Sequence, residues 1–142
     1  MKHENVYQLF DRRAEELPDH PALARAGAGV TYRELRERTN RLANFLIASG
    51  VEKGSVVAVL TRDTAQAITA VVAVLKAGGV FVPLDPDIPE RRLRTMIEEV
   101  TPGWFVVDSE FLHVTLPTHQ NGRPKARVLL LDGGREGAAD AA

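Results

Sequence analysis

The sequence predicts an α/β fold: a doubly wound, mainly parallel sheet with helices on both faces. Three observations predict it. Residues 56–60, V-V-A-V-L, are apolar without interruption, and a strand apolar on both faces belongs inside a parallel sheet covered on both sides. Residues 80–84, 104–108 and 127–131 read as further strands. Helical periodicity fills 64–77 and 89–100 between them, and strand–helix–strand alternation with short connections implies right-handed crossovers.

The elements follow in order from the N-terminus. Val6, Leu9, Phe10, Arg13 and Leu17 recur at helical spacing, which predicts a helix over 6–16 that Pro18 ends. Residues 21–25 and Val30 flank a Gly-Ala-Gly turn, Gly27 to Gly29, and predict a hairpin. Thr31 and Glu34 form the T-x-x-E capping box of the next helix. That helix carries Leu35, Leu42, Phe45, Leu46 and Ser49 along one stripe, and Gly50 supplies its left-handed stop. Asp63 caps the helix over 64–77, whose Ala, Val and Ile leave almost no polar face. Such a helix is buried deeply, here between the sheet and a further layer expected outside the chain. Gly78 and Gly79 end it. Beyond Asp108, residues 112–123 read as a polar connection, and 133–142 as a flexible Gly/Ala tail, which leaves 1–132 as a single α/β unit.

Composition excludes several classes of function. A formal net charge of −1 gives no electrostatic footprint for nucleic acid or an anionic membrane. Arg91, Arg92 and Arg94 alternate with Glu90, Glu98 and Glu99, the pattern of a solvated helix face. Absence of cysteine removes disulfides, thiolate metal sites and cysteine nucleophiles. No apolar run has the length of a signal peptide core or a membrane span, so the expected compartment is the cytoplasm.

No catalytic, cofactor-binding or metal-binding residue is expected. Gly78-Gly79 follows a helix and precedes a strand, the wrong order for a loop that seats phosphate on a helix N-terminus. Asp132 to Gly137 follows a strand but leaves no room for a helix. Asn121-Gly122-Arg123-Pro124-Lys125 lacks the run of small residues that closes backbone N–H groups on phosphates, so it reads as a surface turn. His3, His20, His113 and His119 lack metal-ligand spacing, and His113 and His119 read as solvated loop residues. Ser49, Ser55 and Ser109 lack a G-x-S-x-G elbow. Asp85 and Asp87 flank Pro86 and are explained by turn chemistry, and Lys76 by the helix C-terminus it complements.

Two segments carry a family resemblance: L-K-A-G-G-V-F-V-P-L-D-P-D-I-P-E-R-R-L at 75–93, and T-Y-R-E-L at 31–35. With F-D-R-R-A-E-E-L-P-D-H-P-A-L at 10–23, they resemble the N-terminal part of a nonribosomal peptide synthetase adenylation domain, of the AMP-binding, adenylate-forming superfamily. The Leu-Asp-Pro form with Pro-x-x-Arg is similar to the amino-acid-activating branch. The resemblance implies aminoacyl-adenylate formation with ATP and Mg²⁺ in the complete enzyme. It implies equally that the phosphate loop, the substrate pocket, the ribose-binding aspartate and the catalytic lysine belong to segments beyond Ala142. The chain is therefore expected to be a truncated N-terminal subdomain, catalytically incomplete and without cofactor alone. Its expected partners are other synthetase domains: the rest of the adenylation domain, a condensation domain or a carrier domain. Two other readings stand beside this one: a non-catalytic docking or scaffold remnant, and an independent nucleotide-binding or receiver-like α/β domain. The last lacks an acidic cluster or glycine loop at the end of a strand.

Overall fold

The computed structural model describes residues 6–23, 29–115, 119–120, 123–124 and 126–131. Four strands, β3 (Val56–Leu60), β4 (Val80–Pro83), β5 (Trp104–Val107) and β8 (Arg127–Leu130), form one parallel sheet in the order β4-β3-β5-β8. Two antiparallel pairs accompany it, β1 (Pro21–Leu23) with β2 (Val30–Thr31) and β6 (His119–Gln120) with β7 (Arg123–Pro124). The expected hairpin is thus present as the β1–β2 pair, and residues 24–28 between its strands lie outside the described residues.

Two helices grow from sequence signals as predicted. In α2 (Tyr32–Ser49) the Glu34 N–H donates to Thr31 Oγ1 at 3.1 Å, and the Thr31 N–H donates back to Glu34 Oε1 at 3.0 Å. The Thr31 N–H foremost, and then the Thr31 hydroxyl, which donates to the same Oε1 at 3.1 Å, hold the Glu34 carboxyl below the usual range. Gly50 closes the helix at φ 117°. In α3 (Thr64–Lys76) the Asp63 carboxylate accepts from the N–H groups of Ala65 and Gln66. Gly78 turns the chain at φ 87°, and a Cβ on Gly79 would stand 3.1 Å from the Ser55 carbonyl oxygen. That close approach, not phosphate, explains the Gly-Gly pair.

The sheet is covered on both faces. On one, Ala43 and Leu46 of α2 and Ala70, Ala73 and Val74 of α3 pack on Val57, Val59, Trp104, Val106 and Leu129. On the other, Leu93 of α4 (Glu90–Val100) and Val114 of α5 (Leu112–Thr115) pack on Ala58, Leu60, Phe105 and Val107. Fully burying one such side chain contributes about 1.5–3 kcal/mol.

Two expectations need correction. The layer beyond α3 is in this chain: α2 and α1 (Val6–Glu16) lie against it, so the apolar character of α3 requires nothing from outside. Lys76 fastens the three helices, donating to Asp11 Oδ1 at 2.7 Å and to Asn40 Oδ1 at 2.6 Å. The segment from Leu112 is not a polar connection at its start. A 3₁₀ turn (Ser109–Phe111) leads into α5, which buries Val114 and Thr115, the Thr115 hydroxyl donating to the Leu112 carbonyl. The segment 133–142 lies outside the described residues.

Candidate functional site

The C-terminal ends of the parallel strands make one rim of the sheet. From β3 the chain crosses by α3 to β4, then returns by α4 past β3 to β5, so the two crossovers diverge between β3 and β5. Open α/β sheets take ligands at such a point. Register sets Leu60 opposite Val107, and the next residues, Thr61 and Asp108, meet there. The Thr61 hydroxyl donates to Asp108 Oδ2 at 2.6 Å, and the Arg62 N–H donates to the same oxygen at 3.2 Å. Thr61 and Asp108 are both buried, and Asp108 Oδ1 has no hydrogen-bond partner.

Around this clamp the charged groups are committed to one another. Arg62 pairs with Asp87 at 2.9 Å and with Glu110 at 3.5 Å, and its guanidinium lies 5.3 Å from the centre of the Phe111 ring. The Asp87 hydrogen bond, chiefly, pushes the Arg62 pKa up. The β3–α3 turn is the only strand-to-helix turn at this rim whose helix has a side-chain cap among the described residues, and that cap is the Asp63 carboxylate. An anion approaching the α3 N-terminus would meet a negative charge where a phosphate loop presents glycines. The α3 N-terminus is therefore not the cradle of a phosphate loop.

The opposite rim differs. Phe45, Ala48, Ser49, Trp104, Arg127, Val128 and Leu129 line an open groove of about 590 Å³ between the end of α2 and β8. Arg127 bridges it, donating from Nη1 to the Ser49 carbonyl at 2.7 Å and lying 5.3 Å from the Trp104 ring centre. A cation there complements the C-terminal end of α2.

The other sequence candidates fall into structural roles. The Asp87 N–H donates to Asp85 Oδ1 at 2.9 Å, the turn chemistry expected around Pro86. Ser55 Oγ accepts from the Glu52 N–H, and Ser49 contributes its carbonyl. His113 departs from expectation: it is on α5 and its Nε2 meets Glu90 Oε1 at 2.9 Å. The Arg94 hydrogen bond, then His113, holds the Glu90 carboxyl below the usual range. His20 Nδ1 is 3.4 Å from the Pro21 carbonyl. His3, the side chain of His119, Asn121, Gly122, Lys125 and the Asp132 to Gly137 run lie outside the described residues. The backbone of His119–Gln120 and Arg123–Pro124 pairs antiparallel around residues 121 and 122. Among the described residues no group of three His, Cys, Asp or Glu could hold a metal, and no helix is long and apolar enough to cross a membrane. Sequence reasoning missed the Thr61–Asp108 clamp and the Arg127–Trp104 stack. Both join strand ends that only the pairing register brings together.

Comparison with known proteins gives a consistent picture. The family model described as AMP-binding enzyme matches residues 10–142. Tyrocidine synthase 2 of Brevibacillus parabrevis is 41% identical over 110 residues, which are 78% of this chain and 3% of that protein. Bacitracin synthase 2 of Bacillus licheniformis is 38% identical over 110 residues, 78% of this chain and 4% of that protein. The chain thus spans a small share of the relatives it matches. Among solved structures, the N-terminal subdomain of Klebsiella oxytoca NpsA superposes with a TM-score of 0.74 at 25% identity, over 90% of this chain and 32% of that one. The nonribosomal peptide synthetase FmoA3, bound to α-methyl-L-serine-AMP, gives a TM-score of 0.74 at 27% identity, over 87% of this chain and 14% of that one. With family model, curated relatives and fold in agreement, the chain belongs to the AMP-binding enzyme family and resembles the N-terminal part of its nonribosomal peptide synthetase adenylation domains.

Proposed function

We propose that this chain is the N-terminal scaffold of an amino-acid-activating adenylation domain and that it does not form aminoacyl-adenylate alone. One observation supports the second half most directly: at the C-terminal rim of the sheet, Thr61, the Arg62 N–H, Asp63 and Asp108 Oδ2 are engaged with each other and with the α3 cap, and the Arg62 side chain with Asp87 and Glu110. Adenylate formation requires a carboxylate, ATP phosphates and Mg²⁺ held together, and such catalysis is mainly positioning and electrostatics. In this reading those groups bind to the remainder of the domain, and this chain sets the sheet on which that remainder is built. The compartment is the cytoplasm, and the partners are the other domains of a synthetase.

The test is amino-acid-dependent ATP–pyrophosphate exchange. The purified chain alone is expected to be silent. Co-expressed with the segment of tyrocidine synthase 2 that follows the 110 matched residues, through the end of its adenylation domain, it is expected to raise exchange above that of the segment by itself. Exchange by the chain alone, or no gain with the segment, would overturn the proposal.

A second reading, a non-catalytic module that docks on another synthetase domain, is favoured by Val6, Leu9 and Leu17. They stand 62%, 44% and 41% exposed on and just after α1. Binding to a condensation or carrier domain that survives in the absence of any exchange gain would select it.

A further inference from the structure

The charges of α4 fall into two groups. On the flank toward α5, Glu90 bonds to Arg94 at 3.0 Å and to His113 at 2.9 Å. The outer face is different. Arg91, Arg92, Thr95, Glu98 and Glu99 are all exposed, and helical geometry gathers them on one face about 120° wide. The side chains of these two arginines and two glutamates make no ion pair or hydrogen bond among the described residues. Their order is unfavourable in a lone helix. Arg91 and Arg92 stand in the first turn and Glu98 and Glu99 in the last, whereas the helix dipole favours the reverse. Ion pairs within a helix need a spacing of three or four residues. Arg91 and Glu98, like Arg92 and Glu99, are separated by about 10 Å along the axis. Arg94, the cation within reach of Glu98, is held by Glu90 and by the His113 carbonyl.

We propose that the outer face of α4 is a contact surface for a second copy of this chain, paired antiparallel about a two-fold axis at Thr95. The inference goes beyond the scaffold reading and does not depend on it. Thr95 lies midway between the arginine pair and the glutamate pair. An axis there sets Arg91 beside the partner's Glu98 and Arg92 beside the partner's Glu99, each within about one residue's rise of level. The same operation carries each arginine pair to the C-terminal end of the other helix and each glutamate pair to its N-terminal end. The order that opposes the dipole within one helix therefore satisfies it across two. At the axis itself the residue is small, and its hydroxyl donates to the Arg91 carbonyl at 3.1 Å, so it asks nothing of a partner. Charge complementarity selects a second copy as the occupant, because the face is its own complement. A uniformly acidic or basic partner would meet like charge at one end. One helix face is a small contact, so the dimer is weak and reversible.

Two charge reversals separate the surface from the fold. Arg91→Glu with Arg92→Glu makes the face wholly acidic, and Glu98→Arg with Glu99→Arg makes it wholly basic. Both put the sign that the dipole favours at the changed end of an exposed helix face, so both variants fold. Each repels its own copy. Mixed in equal amounts, they are complementary at both ends. The chain has no cysteine, so Thr95→Cys places one thiol at the proposed axis. Helices 8–10 Å apart (about the ordinary packing distance) bring two such thiols within disulfide reach. Glu37→Cys, exposed on α2, is the control.

The experiment is sedimentation equilibrium of the purified chain up to about 1 mM, where weak dimers are populated, with circular dichroism as the check on folding. We expect the wild type to dimerise reversibly and to lose at least tenfold in affinity between about 0.02 M and about 0.5 M salt. Each reversed variant should dimerise at least tenfold more weakly than the wild type, and their equimolar mixture should recover the dimer. Under mild oxidation, Thr95→Cys should form the disulfide-linked dimer at least tenfold faster than Glu37→Cys. A wild type that stays monomeric throughout would overturn the proposal. So would dimerisation that folded reversed variants retain, a mixture that does not recover it, or equal cross-linking at the two thiols. A different synthetase domain that binds this face while the chain remains monomeric would overturn it also.

Discussion

The two rims of the parallel sheet solve opposite problems. At the C-terminal rim, polar residues meet and pair: Asp108 Oδ2 receives Thr61 and Arg62 while its buried Oδ1 has no partner, Asp63 caps α3, and Arg62 lies between Asp87 and Glu110. At the N-terminal rim, an apolar groove over Trp104 stays open beneath a single bridging arginine. An α/β enzyme ordinarily keeps its chemistry at the first of these rims. Here the described polar groups at that rim are mostly paired and the open apolar surface is at the other, a contrast that supports the scaffold proposal.

Breaking each rim sharpens the contrast. The largest effect is expected from Trp104→Ala. It empties a nearly buried site between the sheet and α2, where loss of an aromatic side chain costs about 3–5 kcal/mol. Urea unfolding followed by circular dichroism measures it. Asp108→Ala comes next. It leaves the Thr61 hydroxyl and the Arg62 N–H without their acceptor at a buried position, a loss of about 1–3 kcal/mol that the same titration reads. The variant also tests the role of the rim: in a complemented enzyme held well below its unfolding temperature, exchange should equal that of the wild type. A specific loss of exchange with the fold intact would make Asp108 functional. Arg127→Ala removes one hydrogen bond to the Ser49 carbonyl and one stacking contact, together about 1 kcal/mol.

The smallest effect concerns pH. Glu90 has its carboxyl lowered from an ordinary value of 4.5 by Arg94 and His113. Its folded pKa is below its unfolded one, so its contribution is complete above about pH 4.5 and is lost as pH falls through the lower, folded value. Glu90→Gln should therefore flatten the acid limb of the stability profile below that pH and change little at neutrality. An unchanged acid limb would show that the exposed Glu90–Arg94–His113 cluster contributes nothing.

Much of the fold could be read from residues because its signals are local. Thr31 with Glu34, Gly50, Asp63 and Gly78-Gly79 each mark a helix end through bonds to neighbours within a few positions, and each stands where it was expected. The unbroken apolar run at 56–60 announced a central strand correctly. What escaped depends on distant partners. Nothing near Asp108 shows that Thr61 will be its neighbour, and the Ser49–Arg127 bond joins residues 78 positions apart. The same limit misassigned the cover of α3. Its all-round apolarity shows that a layer exists but not that α1 and α2 provide it. The short α5 was hidden by its polar flank, although Val114 and the self-satisfied Thr115 are its buried face.

The most direct measurement replaces the 110 matched residues of tyrocidine synthase 2 with this chain in one polypeptide and assays amino-acid-dependent ATP–pyrophosphate exchange. The account predicts exchange by the chimera with the amino-acid preference of the tyrocidine domain, because the scaffold comes from this chain and the remaining groups from the other. A folded chimera without exchange, or one whose amino-acid preference changes with this segment, would contradict it.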